Sequence, residues 1–178
     1  MPKQYLSSRN IQFMLYEVLD TTSLSNFPHY QDHNKETFDM VLEAAKQLAD
    51  KHLLPYLTEM DRKPPLYEQG KIHVHPKVKE LMKLYGEGGW ISATSTYEEG
   101  GQQLPLIIAN LVGFIFGAAN YSASIFPFLT TGASNLIRNF GSEELQKQYI
   151  PKMYSGEWQG TMALTEPQAG SSLSDVQT

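Results

Sequence analysis

Hydroxyls at Thr165 and Ser171 bracket the turn Glu166-Pro167-Gln168-Ala169-Gly170. In the residues before it, Trp158, Gly160, Met162 and Leu164 alternate with Gln159, Thr161, Ala163 and Thr165, the two-residue period of a β-strand. A strand that runs into a Pro-containing turn presents several backbone N–H groups on one side. Such a ledge suits an anionic planar cofactor: the missing side chain at Gly170 lets a pyrophosphate approach the backbone, and Thr165 can reach the edge of a ring. The same residues also suit a plain strand-to-loop turn with capping hydroxyls, and spacing alone leaves both readings open.

Other chemistry is weaker. His29 and His33 are four apart with Asp32 beside them, and His73 and His75 would share one face of a strand, which is ligand-like spacing. Each pair lies in a polar stretch without a third ligand, so both read as surface histidines rather than a metal site. No Glu-x-x-His occurs, which removes the di-iron carboxylate pattern. The glycines at Gly86 to Gly89 and Gly100-Gly101 lack the Lys, Ser and spacing of a phosphate cradle and read as helix stops. The absence of cysteine excludes thiolate nucleophiles, disulfides and iron–sulfur ligation. A net charge of −5 disfavours nucleic acid and anionic membranes as partners.

The elements that must position the ledge are helical. Ile11, Met14, Leu15, Val18 and Leu19 stripe a short amphipathic helix, which the turn-rich residues 21–28 end. Phe38, Val41, Leu42, Ala45, Leu48, Ala49 and Leu53 follow a cap at Asn34, with Pro55 expected to kink the helix. Residues 63–75 form a loop insertion with a small hairpin at Gln69-Gly70. Pro76 opens a helix with Val78, Leu81, Met82 and Tyr85 inward. Residues 100–137 carry no charge, yet the apolar run from Leu106 to Ala119 is shorter than the ~20 residues a bilayer needs, so it reads as a core helix starting at Pro105. A further helix is expected from Pro127, with Leu136, Ile137 and Phe140 inward. Ser142 caps the last helix, with Glu143 and Glu144 in its first turn and Leu145, Tyr149 and Met153 inward. The N-terminus lacks the pattern of a secretory signal, and a cytoplasmic location is expected.

Thr165-Glu166-Pro167-x-Ala169-Gly170-Ser171, preceded by Gly156-Glu157-Trp158 and by the run Gly141 to Pro151, closely resembles the signature of the flavin-dependent acyl-CoA dehydrogenase family. Asp61-Arg62, the loop Tyr97-Glu98-Glu99-Gly100-Gly101 and the uncharged helices resemble that family's N-terminal helical domain, so nearly the whole chain is covered. The N-terminal helix, the insertion at Gln69-Gly70 and Gly88-Gly89-Trp90 are more similar to its long branch, which includes 3-methylmercaptopropionyl-CoA dehydrogenase-like enzymes.

The resemblance implies a mainly α chain: an N-terminal extension with a short helix (1–30), a helical-bundle domain (31–156) and the first strand of a middle β domain (157–178). It implies FAD as cofactor, acyl-CoA as substrate, conversion to trans-2-enoyl-CoA, an electron-transfer flavoprotein as electron acceptor and a homotetramer. On the family pattern Met162 and Leu164 offer main-chain contacts to the flavin, Thr165 its hydroxyl near the flavin edge, and Gly170 and Ser171 the pyrophosphate and CoA side. Phe126, Phe128, Leu129 and Thr130 become candidate lining of the acyl tail. Ser172 stands where the family often has Asp. The catalytic base comes from the family's C-terminal domain, so none of Glu143, Glu144, Glu157 or Glu166 takes that role and the chain alone is expected to be inactive. The rival expectation is a free-standing helical interaction module without cofactor.

Overall fold

Asn34 decides where the first long helix begins. Its side chain accepts the Thr37 N–H at 2.9 Å, and the Thr37 hydroxyl accepts the Asn34 N–H at 2.8 Å, a reciprocal capping box. In the computed structural model, which describes residues 5–178, helix α2 (Lys35–Leu48) then buries Phe38, Leu42 and Ala45. It follows α1 (Ser8–Gln12), which widens into a π turn over Phe13–Val18. Of the stripe expected there, Leu15 is buried, whereas Met14, Val18 and Leu19 are exposed.

Pro55 acts as expected, through a specific distortion. Lacking an N–H, it cannot continue the ladder. The backbone loosens into a π turn at Ala49–Leu53, tightens into a 3-10 turn at Leu54–Tyr56 and resumes as α3 (Leu57–Arg62). The insertion is an antiparallel hairpin, β1 (Leu66–Glu68) with β2 (Lys71–His73), pairing Leu66 with His73 and Glu68 with Lys71. Its two turn residues, Gln69 and Gly70, both have positive φ, as a tight two-residue hairpin turn requires.

Helix α4 (Lys77–Glu87) buries Val78, Leu81, Met82 and Tyr85. Tyr85 meets Phe116 edge to face with centroids 5.2 Å apart, and burial pushes its phenol pKa up. The central element is α5 (Leu106–Phe140), against which α2, α3, α4 and α6 (Glu143–Tyr154) all pack. Among the described residues α5 is the one helix long and apolar enough to cross a membrane. Four covering helices and buried polar residues at Asn120, Thr130 and Ser134 are the marks of a core helix.

The sequence puts a break at Pro127, but the structure has it at Asn120. There the backbone leaves helical geometry (φ −165°, ψ 92°), and the Asn120 carboxamide takes over its bonding. Its Oδ1 accepts the Ala123 N–H at 3.2 Å, and its Nδ2 donates to the Leu53 carbonyl at 3.1 Å. Asn120 thus caps the second half of α5 and satisfies a carbonyl freed by the distortion at Pro55. Pro127 sits buried inside the helix. Leu136, Phe140 and Leu145, expected to face inward, are exposed.

Gly86 does not stop α4; it lies within it, and Gly88 is the cap. A Cβ at Gly86 would lie 2.0 Å from the Ser155 carbonyl oxygen, and one at Gly156 (φ +74°) 2.0 Å from that of Met82. Backbone therefore touches backbone where α6 ends on α4. This contact sets where the chain leaves the bundle.

Candidate functional site

From Gly156 the chain runs back over α5. The Trp158 N–H donates to the Lys152 carbonyl at 3.0 Å. The Trp158 ring meets Tyr149 edge to face at 5.4 Å, and the Lys152 ammonium lies 4.4 Å from the ring centroid. Two residues on, the Gly160 N–H donates to the Thr130 hydroxyl at 3.2 Å. An open groove of about 500 Å³ lies along this crossing, lined by Ala133, Ile137, Tyr149, Met153 and Trp158.

Residues 161–165 are exposed, have no regular secondary structure and make no backbone hydrogen bonds among the described residues. The alternation predicts a strand here, but among the described residues none forms, since no other segment pairs with this one. Order returns at the turn, where Glu166 and Ala169 exchange both backbone bonds, at 3.0 and 3.1 Å, and Ala169 is buried. The Glu166 carboxylate accepts the N–H groups of Gln177 and Thr178, each at 3.0 Å, and the Gln168 amide at 2.6 Å. The Gln177 N–H leads these in holding its pKa below the usual carboxylate range. Glu166 is thereby engaged in ordering its own loop.

The residues expected to face a flavin therefore lie on one exposed stretch: Met162, Leu164, Thr165, Gly170 and Ser171. The Thr165 and Ser171 hydroxyls have no partner among the described residues, and nothing stands within 4 Å of where a Cβ on Gly170 would point. Unpaired N–H and C=O groups, a free hydroxyl and open backbone at a glycine together fit a planar, anionic cofactor. The acyl-lining candidates sit on α5 with unequal exposure. Phe128 is exposed, Phe126 and Leu129 are half-buried, and Thr130 is wholly buried with its hydroxyl donating to the Phe126 carbonyl at 2.8 Å. The two sets meet at the Thr130–Gly160 bond.

Sequence spacing gave no sign of the network that holds this end of the bundle. Arg138 donates to the Ser95 hydroxyl at 2.9 Å and to the Glu99 carboxylate at 3.0 Å, and Ser95 shares a 2.7 Å bond with the Tyr154 hydroxyl. Burial works against the Glu99 charge, but the Thr96 N–H and the Arg138 guanidinium outweigh it and hold its pKa below the usual range. His33, expected at the surface, is instead buried, its Nε2–H donating to the Gln103 carbonyl at 3.0 Å. These partners are 39 to 70 residues apart, beyond the reach of any periodicity argument.

Residues 35–157, more than half of the chain, match the acyl-CoA dehydrogenase N-terminal domain, and the chain belongs to the acyl-CoA dehydrogenase family. Similar relatives include 3-methylmercaptopropionyl-CoA dehydrogenase of Ruegeria pomeroyi, 29% identical over 94% of this chain and 29% of that protein. A butyryl-CoA dehydrogenase of Syntrophomonas wolfei is 33% identical over 96% of this chain and 28% of its own length. Among solved structures, an acyl-CoA dehydrogenase complexed with FAD from Bacillus anthracis superposes with a TM-score of 0.66 at 26% identity, over 82% of this chain and 23% of that one. The chain thus spans less than a third of the length of each of these proteins.

Proposed function

We propose that this chain serves as the N-terminal part of an FAD-dependent acyl-CoA dehydrogenase that converts acyl-CoA thioesters to trans-2-enoyl-CoA. The observation that carries the reading is the exposed stretch from Thr161 to Thr165, whose polar groups are unsatisfied within a chain of this family. Its first part is an N-terminal extension (1–30), its second the helical domain (31–156), and 157–178 begins the middle domain.

FAD, when bound, supplies the acceptor for the β hydrogen of the thioester. This chain's share is binding and orientation. Main-chain groups of Met162 and Leu164 and the hydroxyl of Thr165 hold the flavin edge, and Gly170 and Ser171 face the pyrophosphate and CoA side. Phe126, Phe128 and Leu129 offer apolar surface to the acyl tail. No carboxylate of this chain acts as base. Electrons leave to an electron-transfer flavoprotein, the assembly is a homo-oligomer, and the compartment is cytoplasmic.

The test is to load the full-length parent with FAD and add acyl-CoA thioesters of several chain lengths without oxygen. Bleaching of oxidised flavin by at least one of them is expected, while this chain alone neither retains stoichiometric FAD nor bleaches it. A parent that folds and holds no FAD would contradict the reading.

A further inference from the structure

We infer that Thr130 is the positioning residue for the cofactor-facing stretch, acting through the backbone of Gly160 rather than by lining the acyl tail. The inference rests on the flavin reading given above.

Thr130 has no exposed surface, so its side chain is offered to nothing that approaches from outside. Its hydroxyl proton goes to the Phe126 carbonyl, which leaves its lone pairs free to accept the Gly160 N–H. The contact admits no slack. A Cβ on residue 160 would lie 2.4 Å from Ala133 Cβ and 3.2 Å from both Thr130 Cα and Met153 Cε. Gly160 is therefore seated directly on the backbone of α5, pinned by one hydrogen bond.

Past Gly160 nothing else fixes the chain until the turn at Glu166–Ala169. The pin at Gly160 therefore sets where the stretch leaves α5. Thr165, five residues on, is confined to within about 16 Å of the pin, the span of five extended residues. Without the pin, the hydroxyl that should meet the flavin edge loses the anchor that keeps it within reach.

The test has two arms. In this chain, Thr130→Val keeps shape and branching but removes the acceptor, and exchange of the Gly160 amide should accelerate about tenfold or more while the α5 amides stay slow. Thr130→Ser keeps the hydroxyl and should leave Gly160 protected. In the full-length parent, Thr130→Val should raise the FAD dissociation constant about tenfold, ~1.4 kcal/mol, and shift the flavin potential, with Thr130→Ser restoring both. Gly160→Ala, which keeps the hydroxyl but pushes the stretch off α5, should weaken FAD in the same way and serves if Thr130→Val does not fold.

A Gly160 amide as slow in Thr130→Val as in wild type would overturn the pin. A freed amide with unchanged FAD affinity and potential would overturn the positioning role, as would equal impairment by Ser and Val. A wild-type parent without FAD would overturn the flavin reading and the positioning role together, leaving the exchange arm to judge the anchor by itself.

Discussion

Asn120 and Thr165 are both polar residues at points where regular backbone bonding stops, and the molecule treats them in opposite ways. Asn120 is wholly buried, and its carboxamide is engaged at both ends, by the Leu53 carbonyl and the Ala123 N–H. Thr165 is exposed, and its hydroxyl and the backbone around it meet nothing among the described residues. At Asn120 the bundle meets its polar groups from within, and among the described residues of α2 to α6 the Tyr85 hydroxyl is the one buried side-chain group left without a partner, whereas the stretch after Gly160 leaves its groups open to a partner. Buried polar groups without partners are costly, so a bundle satisfies most of its own, while an exposed ledge is held only by water until something binds.

The largest effect expected from breaking this contrast is at Asn120. Asn120→Leu deletes a helix cap and strands the Leu53 carbonyl in the core, and should lower unfolding free energy by about 2–4 kcal/mol in a urea titration. Thr165→Leu, on the exposed stretch, should change it by less than about 0.5 kcal/mol.

The glycines repeat the contrast on a smaller scale. Gly156→Ala meets the Met82 carbonyl at a positive φ and should cost about 1–3 kcal/mol, whereas Gly170→Ala meets open space and should stay within about 0.5 kcal/mol by the same titration.

Acid should loosen the bundle end through Glu99. A carboxyl whose pKa is depressed on folding contributes stability that is present above its ordinary range and is lost as pH falls through the folded value. Thermal midpoints should therefore fall on acidification partly through this group, and Glu99→Gln should flatten that limb. An unchanged acid slope in the variant would remove Glu99 from the account.

A further effect, read on the cofactor rather than on unfolding, sharpens the ledge side. In the full-length parent, Thr165→Val should remove one ordinary hydrogen bond, about 0.5–1.5 kcal/mol, and more from the reduced flavin, which carries more negative charge. The flavin potential should fall by about 30 mV per 1.4 kcal/mol of that difference, with thermal stability little changed. Lower stability at a constant potential would make Thr165 structural.

How much of this was legible in the sequence differs between the same two regions. Local chemistry announced itself: the Asn34 and Ser142 caps, the distortion at Pro55 and the Gln69-Gly70 turn all act within a few residues of where they are written. The break falls at Asn120 rather than Pro127 because Asn120 carries a side chain able to replace the backbone bonding it interrupts. The alternation after Trp158 predicts a strand that does not form among the described residues, because a strand needs a second strand to pair with and no described segment lies beside this one. Leu136, Phe140 and Leu145 had the period of a buried face without a neighbour to bury it. The Arg138–Glu99 pair and the Thr130–Gly160 bond were invisible because they join residues 39 and 30 apart.

The most direct test of the contrast is amide hydrogen exchange on this chain, comparing Met162–Thr165 with Ile108–Phe116 in α5. The account predicts that the first group exchanges at nearly the rate of an unstructured peptide while the second is slowed to the stability of the bundle. Equal protection of the two groups in the monomeric chain would mean that 161–165 is already satisfied from within, and would contradict the claim that it waits for a partner.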